Sequence, residues 1–221
     1  MATSDRIERD RLAKRKRILE AARELFVARG VEAVTLREIA QRIEYSTTAI
    51  YVQFKDKQDL LDHMVREDFA AFTAALTAVT SVVDPLERLT RLGDAYVEFA
   101  MTMPRHYQLL FMTPHAAPAP EDVVHDVAGV DGYHLLLRTV TECVTTGRFR
   151  PELRDPDGLA QAIWATVHGV VSLLVIMGPE AVFRWRSPAA LAEVALGSML
   201  RGMLADPTEL DPRPRRKPRK R

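Results

Sequence analysis

The feature that most narrows what this chain can fold into is a pair of short helical stretches three residues apart, "LREIAQRI-EYS-TTAIYVQF", residues 36–54. Isolated helices shorter than ~12–15 residues are marginal in water, so these two must pack on each other and on a neighbour. Thr35 stands before the first with Glu38 three positions on, a capping-box pair. Ser46 stands where the second needs an N-cap. Ile50 and Phe54, four apart, share one helix face and leave Thr48, Tyr51 and Val52 to the other. By length and phase this is a helix-turn-helix, an arrangement shared by DNA readers and ordinary helical hairpins. The second helix carries no charged side chain, although DNA binding leans on cations that meet phosphate.

The rest of the chain also reads as helix. In "KRILEAARELFVARG" apolar residues fall at Ile18, Ala21, Ala22, Leu25 and Phe26, an amphipathic stripe, and Gly30 is its expected stop. A further helix is expected from about Lys57 past Phe72. Asp84-Pro85, Asp155-Pro156 and Ser187-Pro188 each pair an N-cap with a proline at the first helical position. They open helices expected at 85–103, 156–178 and 188–204, with a short helix at 105–112, a loop at 114–120 and a long helix at 121–147 between. No alternating strand pattern and no internal repeat stands out. The expected fold is all-α: an N-terminal three-helix domain that holds the helix-turn-helix, joined to a larger helical domain. The boundaries are a flexible basic arm at 1–10, the helix-turn-helix domain at 11–62, the larger domain at 63–206 and a disordered tail at 207–221.

A formal net charge of +1 hides a segregation. Residues 1–62 hold 13 basic and 11 acidic residues, a balance of +2; residues 63–211 hold 11 and 19, or −8; residues 212–221 hold seven basic residues and no acid. Within the first segment, "RIERDRLAKRKR" carries seven basic residues against two acids. Basic ends around an acidic body point to a polyanionic partner. A lone cysteine, Cys143, excludes a disulfide within the chain and suits a reducing, cytoplasmic setting. The polar start shows no secretory signal. Residues 158–179 lack charge over a length near the ~20 residues of a membrane span. Gln161, His168, Gly169 and Ser172 dilute that run, so a helix buried on all sides is expected, with no membrane partner.

The run from Arg17 to Leu61 resembles the DNA-binding domain of the TetR family of bacterial repressors. The match is carried by "ILEAARELF" followed by "RG", by "VTLREIAQRI", by Ser46, "IY" at 50–51, Phe54 and Lys55, and by "KQDLL". One position departs: the family usually has Gly where this chain has Glu44, in a turn where Gly tolerates positive φ. The segments 92–111 and 162–174 are similar to the regulatory domain whose hallmark is Trp-x-x-x-His-Gly, here Trp164, His168 and Gly169.

The resemblance implies where each group would work. Arg37, Thr47, Thr48 and Ala49 would lie near base edges, with Arg37 suited to guanine O6 and N7. Thr35, Tyr51, Gln53 and Lys57 would meet phosphate, Ser46 and Lys55 would flank them, and Val52 would make apolar contact. The arm at 6–17 would add electrostatic grip along the backbone or in a minor groove. The implied partners are a double-stranded operator, a second copy of the chain and a small-molecule effector. The dimer face would use Ala165, Gly169, Ser172 and Ile176 on one helix and Leu191, Val194, Ala195, Ser198 and Gly202 on the last. The ligand set would be Phe69, Phe72, Tyr96, Phe99, Met103, Tyr107, Phe111, Trp164 and His168, mostly apolar with a few polar points. Ordinary core packing is the competing account of these aromatics, and a satisfied core histidine that of His168.

Other classes have thinner support. Glu121 and Asp122 precede His125 at metal-ligand spacing, but the nearest companion is His63 with Glu67, and no phosphate loop or nucleophile motif accompanies them. The chain is expected to be no enzyme, with no metal and no cofactor. A thiol switch at Cys143 and architectural DNA binding through the basic ends are the remaining alternatives.

Overall fold

Caps and prolines set most helix ends in the computed structural model, which describes residues 2–114, 128–178 and 184–210. The helices are α1 (Ala2–Arg29), α2 (Leu36–Arg42), α3 (Thr47–Tyr51), α4 (Lys57–Thr77), α5 (Pro85–Thr102), α6 (Pro104–Phe111), α7 (Ala128–Thr145), α8 (Pro156–Met177) and α9 (Pro188–Met203), followed by a 3-10 turn at Pro207–Leu210. No strand occurs among the described residues; one antiparallel bridge pairs Phe149 with Leu204. The loop expected at 114–120, the start of the helix expected at 121 and most of the basic tail lie outside the described residues.

The chain divides into two compact units, the first taking Met1–Ala74 and Thr102–Val130, the second Ala75–Met101 and Asp131–Arg221. In the first unit Ile18, Ala22 and Phe26 of α1 are buried, as are Ile39 of α2, Ile50 of α3, Phe54 and Leu60. Gly30 ends α1 as expected: its φ is 81°, and its N–H donates to the Phe26 carbonyl at 2.8 Å. The basic arm is where sequence and structure part. Residues 2–10 continue α1 rather than forming a flexible arm. The stretch contains neither Gly nor Pro, and Arg11 pairs with Glu8 one turn back at 2.8 Å, a helix-supporting spacing.

A buried ion pair crosses this unit. Arg23 of α1 donates to both carboxylate oxygens of Asp68 of α4, at 2.6 and 2.9 Å, and both side chains are almost wholly buried. His106 of α6 lies 3.8 Å from the same carboxylate. Burial pushes the Asp68 carboxyl up, against the pull of Arg23 and His106. A buried guanidinium cannot shed its proton, so it needs the ionised carboxylate, and the bidentate geometry keeps the pair charged.

The second unit packs Leu86, Leu89, Leu92, Tyr96 and Phe99 of α5 with Val140 of α7, Ile163, Val167 and Val171 of α8, and Leu196 and Leu200 of α9. A Cβ on Gly93 would collide with Leu196 and touch Val167, so α5 meets α8 and α9 where it has no side chain. Asp155 caps α8 and Ser187 caps α9 by accepting from Gly158 and Ala190 N–H groups. Within one chain, α8 is buried on one face and not on all sides. Ala160, Ile163, Val167 and Val171 are buried, whereas Ile176 is 66% exposed. Only one face packs on the unit, because the apolar residues run round the whole helix and α5 and α9 cover part of it.

Candidate nucleic-acid interface

The opening of α2 is fixed by its own side chains. Thr35 accepts from the Glu38 N–H at 3.2 Å, and the Glu38 carboxylate accepts from the Thr35 N–H at 2.8 Å, completing the capping box. The Thr35 hydroxyl also donates to Glu38 at 2.8 Å, and Arg29 donates to the same carboxylate at 2.8 Å. Led by the Thr35 hydroxyl, with Arg29 next, these bonds hold the Glu38 carboxyl down at about 2. Both Thr35 donors are thereby committed, so a Thr35–phosphate bond would require Glu38 to let one go. Arg37, one residue inside the helix, is exposed.

The turn that follows carries the departure noted in the sequence. Glu44 has φ 60°, the one non-glycine residue with positive φ among those described. The left-handed geometry that Gly adopts freely is kept, and Glu takes it at a cost. The Tyr45 N–H donates to the Ala40 carbonyl at 2.9 Å, and Ser46 then caps α3 by accepting from the Ala49 N–H at 3.2 Å. α3 is shorter than the eight residues expected, ending at Tyr51 with Val52 as its C-cap. Phe54 and Ile50 still turn inward and are buried. Tyr51 is 56% and Val52 76% exposed, so Tyr51 is not packed beside Phe54. Thr48 is exposed, and Thr47, Ala49 and Gln53 are partly exposed. Lys55 is exposed, and its backbone N–H donates to Asp59 at 2.8 Å. Lys57 is half-buried, with its ammonium donating to the Val31 carbonyl at 3.1 Å. One of its three protons is thus already used.

Spacing alone gave no sign of two contacts made by the basic stretch before α1's buried turn. The Arg15 guanidinium lies 4.6 Å from the Phe54 ring centroid, and that of Arg17 lies 5.0 Å from Tyr45. Arg17 also donates to the Tyr45 hydroxyl at 3.2 Å. An open groove of about 510 Å³ nearby is lined by Lys16, Arg17, Glu20, Glu24, Arg42 and Arg105 over Ala13, Ala21 and Ile43. None of the expected ligand residues lines it.

The expected ligand residues fall in both units. In the first unit Phe111 meets Phe69, Phe72 and Tyr107 at 6.2, 5.3 and 5.2 Å between ring centroids, with Met103 at the start of α6. In the second, Trp164 donates to the Tyr96 hydroxyl at 3.3 Å, and that hydroxyl lies 2.9 Å from His168 Nδ1. Tyr96 and Phe99 are buried there, while Trp164 is 38% exposed. Burial lowers the pKa of His168, which fits a neutral imidazole sharing a proton with Tyr96.

The expected dimer residues are exposed or partly exposed: Ala165, Gly169, Ser172 and Ile176 on α8, and Leu191, Val194, Ala195, Ser198 and Gly202 on α9. A Cβ on Gly169 or Gly202 would meet nothing within 4 Å, so packing within the chain does not require glycine at either position. Cys143 is buried, and burial pushes its thiol up to about 12. A reactive cysteine needs the thiolate and access, so a thiol switch has no basis here. His63 Nδ1 lies 2.8 Å from the Asp59 carbonyl rather than pairing with Glu67. Glu121, Asp122 and His125 lie outside the described residues.

The likeness to known proteins falls on these same segments. Residues 18–64 match the bacterial regulatory proteins of the tetR family, and residues 89–199 match the Tetracyclin repressor-like C-terminal domain. The HTH-type transcriptional repressor KstR2 of Mycolicibacterium smegmatis is 27% identical over 148 residues, 64% of this chain and 70% of that protein. A tetR-family regulatory protein from Rhodococcus RHA1 superposes with a TM-score of 0.68 at 24% identity, over 87% of this chain and 98% of that one. The ketosteroid transcriptional regulator KstR2 of Mycobacterium tuberculosis does so at 0.64 and 19% identity, over 87% and 95%. With one match spanning the helix-turn-helix and another half of the whole chain, this protein belongs to the TetR family of DNA-binding transcriptional regulators, which are not enzymes.

Proposed function

We propose that this regulator is a homodimeric repressor that leaves a near-palindromic operator when a small apolar or aromatic molecule binds. The observation that carries the reading is the exposure of Tyr51 and Val52 on a helix whose Ile50 and Phe54 are buried. Intramolecular packing does not explain a large aromatic and a valine held outward together. On DNA, Arg37 would meet guanine O6 and N7 with two hydrogen bonds, Thr47 and Thr48 would offer hydroxyls, and the Ala49 methyl would suit a thymine methyl. Tyr51, Gln53, Lys55 and Lys57 would hold phosphate and set the register. Thr35 would join them only by releasing Glu38.

The open glycines on α8 and α9 support a second copy as partner, since small residues let helices approach closely. A two-fold dimer would read half-sites a whole number of helical turns apart. The ligand would draw on the aromatic residues of the second unit, with Tyr96 and His168 as polar points. A relative named a ketosteroid regulator is consistent with a bulky apolar effector, as is the Trp164-x-x-x-His168-Gly169 spacing. Release requires the ligand to favour the DNA-incompetent form, and DNA must then weaken the ligand by the same factor. Such a regulator would act in the cytoplasm.

The test is Arg37→Ala measured against a library of duplexes. A loss of ~1–3 kcal/mol with relaxed preference at one base position is expected. An equal loss on every sequence would reduce Arg37 to a phosphate contact.

A further inference from the structure

The basic stretch before the buried part of α1 holds cations of two kinds. Lys14 and Lys16 are exposed, with no hydrogen bond or ion pair among the described residues. Arg17 is engaged: its guanidinium faces the Tyr45 ring at 5.0 Å and donates to the Tyr45 hydroxyl at 3.2 Å. Tyr45 is no ordinary surface aromatic. It is the single residue between Glu44, whose φ is 60°, and Ser46, whose hydroxyl caps α3. Its own N–H closes the turn onto the Ala40 carbonyl at 2.9 Å. A displacement of Tyr45 therefore passes directly to the cap that fixes where α3 begins, and Glu44 holds the chain in a geometry it would leave readily. A guanidinium stacked on the ring opposes that displacement.

We infer that Arg17 and Tyr45 form a clasp between α1 and the turn that sets the direction of α3, so that Arg17 acts on sequence-specific binding as a positioning residue rather than a phosphate contact. The inference rests on α3 being the reading helix. It divides the basic stretch by role: Lys14 and Lys16 supply counterion-releasing charge, and Arg17 supplies aim. Arg15 stands over Phe54 at 4.6 Å, a second cation held by an aromatic of the same segment.

The two roles separate by salt. Each neutralised phosphate contributes ~0.9 to the slope of log affinity against log salt. The probes are a duplex selected from a random pool by the wild-type protein and an unselected duplex of equal length. Arg17→Ala should weaken the selected duplex roughly two- to fivefold, the worth of one exposed cation–π contact, with the salt slope unchanged and the unselected duplex little affected. Lys16→Ala should lower the slope on both. Tyr45→Leu should reproduce Arg17→Ala, and the double variant should be no worse than either. Arg17→Lys keeps the charge but exchanges the planar guanidinium stack for a weaker ammonium–ring contact, so it should fall between wild type and Arg17→Ala with the salt slope unchanged. The clasp is refuted if Arg17→Ala flattens the slope as Lys16→Ala does, or if the Arg17 and Tyr45 effects add. A DNA-free measurement keeps the clasp distinct from the reading-helix assignment. Hydrogen exchange at the Tyr45 amide should quicken in Arg17→Ala; an unchanged rate would sink the clasp even if α3 reads DNA. Faster exchange in a protein that selects no duplex would instead sink the assignment of α3.

Discussion

Glu44→Gly tests whether the turn before α3 stores strain. A left-handed conformation costs a residue with a Cβ ~1–2 kcal/mol, and Glu44 holds it at φ 60°. The Glu44 carboxylate makes no hydrogen bond or ion pair among the described residues, so nothing there offsets the cost. Replacing it by Gly removes the strain and adds freedom to the unfolded chain, a loss of ~0.4–1 kcal/mol. The balance is a gain of about 0.5–1 kcal/mol. For a chain of this size that is about 1–4 °C in Tm. The assay is urea unfolding followed by helicity, with a higher midpoint at unchanged m-value. Glu44→Ala is the control: it removes the carboxylate and keeps the Cβ, so it should gain almost nothing. A Glu44→Gly protein that is less stable than wild type would refute the strain argument. Equal gains from Gly and Ala would assign the effect to charge instead of backbone.

Other expectations follow from the same geometry. Asp68→Ala leaves the buried Arg23 guanidinium with only the Glu20 carboxylate, at 3.2 Å, and should cost ~3–5 kcal/mol, read by denaturant unfolding; a cost below ~1 kcal/mol would mean that Glu20 or water satisfies Arg23. Ile176→Glu should barely alter the fold, since the side chain is exposed within one chain, yet it should yield monomers in sedimentation; an intact dimer would move the interface away from α8. Burial, then Arg23, depresses the His106 pKa, against Asp68 and Glu20. The unfolded chain therefore takes up this proton first, and stability present above about pH 6.5 is lost as pH falls through the folded value. His106→Asn should flatten urea midpoints between about pH 7.5 and 5, and an unchanged slope would remove His106 as their source.

Local chemistry was legible in the sequence, and long-range pairing was not. The capping box at Thr35 and Glu38, the Ser46 cap, the Gly30 stop and the inward pair Ile50 and Phe54 are all set by residues within a few positions of one another, so spacing alone reveals them. The helical start of α1 was missed because a run rich in Arg and Lys looks the same whether solvated as coil or as helix. The one-sided burial of α8 within a single chain was not legible because an apolar run states which residues avoid water but not which neighbours cover them. Arg23 and Asp68 are 45 residues apart, and no periodicity joins them. The expected ligand set illustrates the same limit. Aromatic content named its candidates, and their division between two units was visible only in the fold.

The bridge between Phe149 and Leu204 bears on assembly as well as on the monomer. With the Arg150 N–H on the Met203 carbonyl and the Ala205 N–H on that of Arg148, both at 2.9 Å, the last turn of α9 is stitched to the segment that leads into α8. The two helices are joined by chain at one end and fastened by this stitch at the other, a closed loop rather than a hinged pair. In the proposed dimer such a frame would meet its counterpart as a ready-made plate, with the ordering of its helices completed before association. Loosening the stitch, far from any side chain on the exposed face, would then slow or weaken pairing while the face itself stayed intact.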